Sequence, residues 1–227
     1  MIYWASTSGT SDADIQKRNL EFAAQELDRC SSRGESFVYV VPAEIIFDMK
    51  TPGVRHTEHS TVCPSCYAGQ VCLTAENRVH EYEHGYILRI MPLIDSGHLH
   101  YLFDHMRHGA YNGEKTTETS FQFSSRQVVE EMAKSITNMT SKSLERPRIQ
   151  HVCSPIRFTT SYIIFSLLGE DPGIELSSDS TAWRIFPDLP ASFCTENADD
   201  RQVRHIMRWT HQIGERTLKD LRCPRVI

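Results

Sequence analysis

Phe37-Val-Tyr-Val-Val-Pro-Ala-Glu-Ile-Ile-Phe47 is a long apolar run that is interrupted by Pro42. Ahead of it, Ile2–Ala5 is a short β-prone stretch, and Ile15–Leu27 carries its apolar residues at the spacing of an amphipathic helix. Asp12 or Asp14 is a suitable N-cap for that helix. The order strand, helix, strand predicts a β-α-β unit at the start of the chain.

The same alternation continues after a stretch between Met49 and Arg78 that is expected to be irregular. The predicted elements are a strand or short helix at Tyr86–Ile94, strands at His98–Met106 and Ile149–Cys153, and helices at Ser125–Ile136, Ile156–Leu168 and Asp200–Leu221. Such alternation is typical of an α/β domain. We therefore expect an open, mostly parallel sheet flanked by helices, with a β-α-β segment over residues 1–97 and a second domain over residues 98–227.

Composition excludes several classes of protein. Of the 227 residues, 40% are hydrophobic and 23% charged, which is typical of a globular chain. The 24 basic residues are outnumbered by 29 acidic ones, so no broad basic surface for nucleic acid or an anionic membrane is expected. The sequence contains neither a secretory signal nor an apolar stretch near the ~20 residues of a membrane helix. Together with an odd number of cysteines, seven, this predicts a cytoplasmic protein.

Two short motifs stand where predicted strands end. Arg107-His108-Gly109 follows the strand at His98–Met106, and Ser154-Pro155-Ile156-Arg157 follows the strand at Ile149–Cys153. Ligands of open α/β sheets bind at the carboxyl ends of strands, so the two motifs would converge if their strands are neighbours. A neutral imidazole can attack phosphorus while two guanidiniums hold the phosphate oxygens. The combination favours phosphoryl transfer.

These motifs resemble those of the histidine phosphatase superfamily, the phosphoglycerate-mutase-like proteins, from about residue 98 to the C-terminus. The resemblance implies that His108 is the phosphoacceptor, that Arg107 and Arg157 are catalytic and grip the phosphate, and that Asn112 and Ser154 also bind it. It implies hydrolysis of a phosphomonoester or phosphohistidine without a cofactor. The partner would be a phosphorylated small molecule or a phosphoprotein.

The chain departs from that family at its end. The family's second histidine follows a late strand, whereas this sequence stops at Cys223-Pro-Arg-Val-Ile227. The alternatives are a domain that is incomplete at its C-terminus, a pocket completed by another group, and a non-catalytic domain that binds phosphate or a partner. Neither the substrate nor the oligomeric state is indicated by the sequence.

A histidine- and cysteine-rich stretch offers a zinc alternative. Cys63 and Cys66 form a Cys-x-x-Cys pair that His80 and His84, or His56 and His59, could complete as a tetrahedral site. His80-Glu81-Tyr82-Glu83-His84 also matches His-Glu-x-x-His, in which two histidines on one helix face bind a hydrolytic zinc ion. A plain polar loop is favoured over both metal sites. A redox role for the cysteine pair is disfavoured because the pair does not open a helix after a strand.

Overall fold

The structure is a computed structural model. It describes residues 1–6, 11–47, 55–93, 120–138, 148–153, 158–159, 192–193, 201, 204–205 and 208. In chain order the elements are β1 (Ile2–Trp4), α1 (Asp12–Gln16), a π-helical section (Lys17–Phe22), α2 (Ala23–Arg33), β2 (Phe37–Pro42), α3 (Ala43–Ile46), β3 (Arg55–His56), α4 (Tyr67–Glu81), β4 (Gly85–Ile90), β5 (Ser120–Phe121), α5 (Arg126–Thr137), β6 (Ile149–Val152), β7 (Phe158–Thr159) and β8 (Ser192–Phe193).

A four-stranded sheet forms the centre of the described fold. Its order is β1-β2-β4-β6, and every neighbouring pair is parallel. All six residues of β4 and the first five of β2 are buried, because helices cover both faces of the sheet and leave no polar face. The predicted α/β class with a parallel sheet flanked by helices is confirmed.

The helices divide between the two faces of the sheet. On one face, Tyr39 and Ile87 pack with residues of α2 and α4, and on the other, Val40 and Leu88 pack with α5. The helices that lead from β1 to β2 and from β2 to β4 therefore share a face, whereas α5 leads from β4 to β6 on the opposite face.

The first helix is longer than its amphipathic pattern predicts. It runs through α1, the π-helical section and α2, and it ends at Gly34, whose φ of 63° is the left-handed conformation that glycine adopts at low cost. The expectation of an aspartate N-cap is wrong. Ser11 is the cap, and its side chain accepts a hydrogen bond from the Asp14 N–H.

Two further expectations about local structure are wrong. The stretch expected to be irregular contains α4, a helix of 15 residues. Phe158–Thr159, expected within a helix, forms β7 and pairs antiparallel with β5. The predicted helix at Asp200–Leu221 lies mostly outside the described residues.

The parallel sheet draws on both sides of residue 97. β1, β2 and β4 come from the first 97 residues, whereas α5 and β6 follow that position. The division into two segments at residue 97 stays a prediction. No helix within the described ranges has the length and apolar character to cross a membrane.

Candidate functional site

The four parallel strands all end at one edge of the sheet, which we call the carboxyl edge. It consists of the residues that follow β1, β2, β4 and β6, namely Ala5–Ser6, Ala43–Glu44, Met91–Pro92 and Cys153. Open α/β sheets bind their ligands at this edge because loops and helix N-termini converge there. The polar groups near this edge are therefore the first candidates for function.

Asn19 fixes the backbone of Ser6, just after β1. The residue is fully buried in the π-helical section, and its side chain bonds both backbone groups of Ser6, with Oδ1 2.9 Å from the Ser6 nitrogen and Nδ2 2.7 Å from its oxygen. Oδ1 also accepts from the Tyr39 hydroxyl at 3.3 Å, and Nδ2 donates to the Ile15 carbonyl at 3.0 Å. The sequence interpretation missed this residue, although an asparagine on the apolar face of an amphipathic helix was a signal for it.

Ser124 connects the ends of β4 and β6. Its buried hydroxyl accepts a hydrogen bond from the Met91 N–H at 2.9 Å and donates one to the Val152 carbonyl. Its backbone nitrogen donates to the Pro92 carbonyl at 3.1 Å. α5 begins two residues later, so these bonds fix the start of α5 at the carboxyl edge.

The N-terminus of α5 is better suited to an anion than the N-terminus of α1. The first N–H groups of a helix have no intrahelical partner and carry partial positive charge. In α5 the Ser125 side chain caps none of them, the first turn has no acidic residue, and it begins with Arg126. The Arg126 guanidinium lies 5.4 Å from the centroid of the Trp4 ring, at the end of β1. By contrast, the first turn of α1 carries Asp12 and Asp14, which repel an anion.

A buried ion pair lies on the face of the sheet that α4 covers. The Arg89 guanidinium donates to both carboxylate oxygens of Glu76, at 3.1 and 2.7 Å, and the two side chains are only 4% and 2% exposed. The same guanidinium lies 5.0 Å from the centroid of the Phe47 ring. Nearby, the Glu58 carboxylate accepts from the His151 backbone N–H at 3.0 Å. These contacts attach α4, Phe47 and Glu58 to the sheet.

Burial shifts the pKa of two interacting groups in the core. Desolvation raises the pKa of the Cys72 thiol from 9.0 to about 11, and the nearby Glu76 carboxylate adds to the rise. Desolvation also holds the pKa of Tyr39 well above its ordinary value of 10.0, with Cys72 as a second cause. Both groups therefore remain protonated at neutral pH and do not act as bases.

The residues predicted to form a phosphatase pocket lie outside the described part of the chain. They are Arg107, His108, Asn112, Ser154 and Arg157. Their mutual placement stays a prediction. What the structure does describe near them is β6, which ends at Val152, one residue before the predicted end, and β7, a strand where the phosphatase resemblance required the first turn of a helix.

The zinc alternatives are wrong. Cys66 caps the N-terminus of α4, whereas His80 lies in its last turn and His84 follows its end, so a helix of 15 residues separates the two pairs. At 1.5 Å per residue that distance is about 20 Å, far beyond any common ligand sphere. His80 and His84 do not share a helix face either, because α4 ends at Glu81 and β4 begins at Gly85. No cluster of three metal-binding side chains occurs among the residues whose positions are described.

Comparison with known proteins places the fold among dehydrogenases and epimerases. No family model and no curated protein matches the chain. Among solved structures it is similar to L-threonine 3-dehydrogenase from Trypanosoma brucei, with 14% identity over 96% of this chain and 74% of that one, at a TM-score of 0.64. It is similar to the Bordetella bronchiseptica enzyme WbmG in complex with NAD (12% identity, 94% and 72% covered, TM-score 0.60). It is also similar to UDP-N-acetylglucosamine 4-epimerase from Methanobrevibacter ruminantium M1, with 13% identity over 95% of this chain and 76% of that one, at a TM-score of 0.61.

These similarities overturn the phosphatase interpretation. The sequence motifs predicted a histidine phosphatase without a cofactor, with zinc as the alternative, whereas the similar structures are dehydrogenases and epimerases, one of them holding NAD. The match of Arg107-His108-Gly109 was misleading because three residues in the expected order carry no information about the strand order around them.

The turn after β1 does not fit the diphosphate of a dinucleotide. The usual cradle is a Gly-x-Gly-x-x-Gly turn between the first strand and its helix, and Gly-x-Gly occurs nowhere in the 227 residues. The helix after β1 instead begins with two aspartates, and the four strands of the described sheet run in chain order without the reversal that marks a dinucleotide crevice. The chain thus has the fold of the dehydrogenases and epimerases, without their usual glycine-rich turn.

Proposed function

We propose that this chain is an enzyme of the dehydrogenase or sugar-nucleotide epimerase type that binds a nucleotide diphosphate at the carboxyl edge. The proposal is carried by the similarity of its fold, over 92–98% of the chain, to dehydrogenases and epimerases. WbmG was solved with NAD and with NAD and UDP, so a nucleotide is the ligand class that this similarity favours.

The start of α5 supports a location for the diphosphate. α5 begins at the carboxyl edge, and Arg126 adds a positive charge to its first turn, which has no acidic residue. A guanidinium binds phosphate oxygens through two parallel hydrogen bonds, and helix N–H groups add further donors. The contact with the Trp4 ring holds the Arg126 guanidinium near the end of β1.

Two buried side chains supply the rigidity that such a site needs. Ser124 fixes the start of α5 against β4 and β6, and Asn19 fixes the backbone of Ser6, just after β1. Phosphate donors that are already in position lose little conformational entropy when the ligand binds. These residues hold and orient the ligand; we assign no hydride-transfer step to the described residues, because the turn after β1 does not fit a dinucleotide.

Calorimetric titration of the full chain with UDP, a UDP-sugar, NAD and the phosphate-free nucleoside uridine tests the proposal. We expect at least one diphosphate ligand to bind and uridine to bind at least tenfold more weakly. Arg126→Ala should weaken diphosphate binding about tenfold or more, since a hydrogen bond to a charged group contributes about 1.5–3 kcal/mol. Arg29→Ala is the matched control, because Arg29 pairs with Glu26 on the exposed surface of α2.

Two results would contradict the proposal. One is that none of the three diphosphate ligands binds to the folded chain. The other is that Arg126→Ala and Arg29→Ala bind the diphosphate equally well.

A further inference from the structure

Cys63 and Cys66 lie at the start of α4, which the sequence interpretation did not anticipate. Cys66 is the N-cap of α4, in an extended conformation, and its Sγ accepts a hydrogen bond from the Gly69 N–H at 3.4 Å. Both thiols are free and exposed. The pair was expected not to open a helix after a strand; in the structure Cys66 does open a helix, although residues 57–65 separate it from β3.

The backbone around the pair is anchored on both sides. The Cys63 N–H donates to the carbonyl of Ile46, the last residue of α3, at 3.0 Å. At Gly69 a Cβ atom would lie 2.0 Å from the Ile45 carbonyl oxygen and 2.9 Å from Pro64 Cβ, so α4, α3 and Pro64 are in close contact there. The segment that carries the two thiols is therefore held in place while the thiols themselves face solvent.

We propose that Cys63 and Cys66 form a reversible disulfide and that Cys66 is the thiol that reacts first. Cys-x-x-Cys pairs and positions at helix N-termini are both settings in which protein thiols become reactive. The Gly69 N–H and the positive end of α4 stabilise negative charge on the Cys66 sulfur during attack. Cys63 carries no such contact with the helix, so we assign it the second step, the attack on the Cys66 sulfur.

The oxidant is a low-molecular-weight disulfide such as glutathione disulfide. The Cys66 thiolate attacks one sulfur of that disulfide, a mixed disulfide forms, and one glutathione thiolate leaves. The Cys63 thiolate then attacks the Cys66 sulfur, the Cys63–Cys66 bond forms, and the second glutathione thiolate leaves. In sum, two protein thiols and one glutathione disulfide give one protein disulfide and two glutathione thiols, with the two protons passing to the leaving thiolates.

Cys72 provides an internal contrast one and a half turns further along α4. It is fully buried, and burial raises its thiol pKa to about 11, so it forms almost no thiolate at neutral pH. It lies with Cys63 and Cys66 between Arg55 and Arg78, in a single tryptic peptide, whereas Cys194 and Cys223 fall in other peptides. Fragmentation of that one peptide therefore shows which cysteines have reacted.

The test is to treat the folded full chain with glutathione disulfide and to map the products by mass spectrometry. We expect the mass of the His56–Arg78 peptide to fall by two hydrogens, and fragmentation to place the disulfide between Cys63 and Cys66. Maleimide labelling of both cysteines should fall at least tenfold, and a reductant should restore it. Cys63→Ser should stop at the mixed disulfide on Cys66. Cys66→Ser should react with glutathione disulfide about tenfold more slowly than Cys63→Ser does.

The wild-type map alone decides whether the pair forms, even if a variant fails to fold. Glutathione remaining on either cysteine of the wild-type chain, a disulfide that includes Cys72, or no oxidation at all would overturn the proposal. Equal reaction rates for Cys63→Ser and Cys66→Ser would overturn the assignment of Cys66 as the first thiol.

Discussion

At the scale of single residues, the Arg89–Glu76 pair is the strongest polar contact between α4 and the sheet. Two hydrogen bonds join side chains that are almost inaccessible to water. A buried pair of this kind contributes little net stability over an apolar pair, but removing one partner leaves an uncompensated charge in the core. The pair is therefore a sensitive point for the packing of α4.

Arg89→Met should lower the free energy of unfolding by about 3–5 kcal/mol, because the Glu76 carboxylate would remain buried without its partner. Urea unfolding measures this change as a shift of the midpoint. Arg89→Met combined with Glu76→Gln should recover part of the loss, since the second change removes the charge. A loss of unfolding free energy no larger for Arg89→Met than for Arg29→Met, on the exposed surface of α2, would show that the buried pair does not form in solution.

The raised pKa of Cys72 predicts a loss of stability in alkali. The folded chain keeps the thiol proton up to a pKa of about 11, whereas the unfolded chain releases it above 9.0. The contribution of Cys72 is thus complete below pH 9 and is lost between pH 9 and 11, by about 2–3 kcal/mol. Cys72→Ala should show a shallower decline over that range, and parallel declines for the two chains would show that the thiol is not desolvated.

At the scale of elements, α4 depends on close contact with α3 at Gly69. Gly69→Ala adds a methyl group that would lie 2.0 Å from the Ile45 carbonyl oxygen, so α3 or α4 must move. The steric cost should exceed the gain of about 1 kcal/mol in helix propensity, and we expect a net loss in thermal stability. Gln70→Ala, at an exposed position in the same turn, should change the free energy of unfolding by less than about 0.5 kcal/mol. A more stable Gly69→Ala chain would refute this packing.

The elements that the sequence predicts well are those with strong local patterns. β2 and β4 are mostly apolar runs, and α2 and α5 have a clear apolar face, so each is evident from neighbouring residues alone. α4 was missed because Gly69 and Pro64 usually indicate a loop. In the structure Gly69 is a helical residue that permits close packing, a role that depends on Ile45 from another element.

The candidate site was less predictable than the fold, because its contacts join residues far apart in the chain. Asn19 bonds Ser6, 13 residues away, and Ser124 bonds Met91 and Val152, 33 and 28 residues away. Neither residue belongs to a short motif. The histidine and arginine motifs that did attract attention predicted a phosphatase, which the similarity of the whole fold to dehydrogenases and epimerases overturned.

At the scale of the whole molecule, the described strands advance in one direction from β1 to β6 while the helices change face after β4. The start of α5 therefore lies at the carboxyl edge, as do the residues that follow β1. Since the chain has a net charge of −5, a nucleotide diphosphate finds no general attraction to it. Binding must therefore come from local donors, of which α5 and Arg126 are the ones we propose.

Hydrogen exchange of the full chain, with and without the tightest-binding diphosphate ligand, tests that proposal most directly. The first amides of α5, those of residues 126–128, precede its hydrogen bond from the Val129 N–H to the Ser125 carbonyl and should exchange faster than the amides later in the helix. We predict that saturating ligand slows them at least tenfold and leaves the amides of residues 12–14, in the acidic first turn of α1, unchanged. Protection at residues 12–14 with none at residues 126–128 would contradict the proposed site.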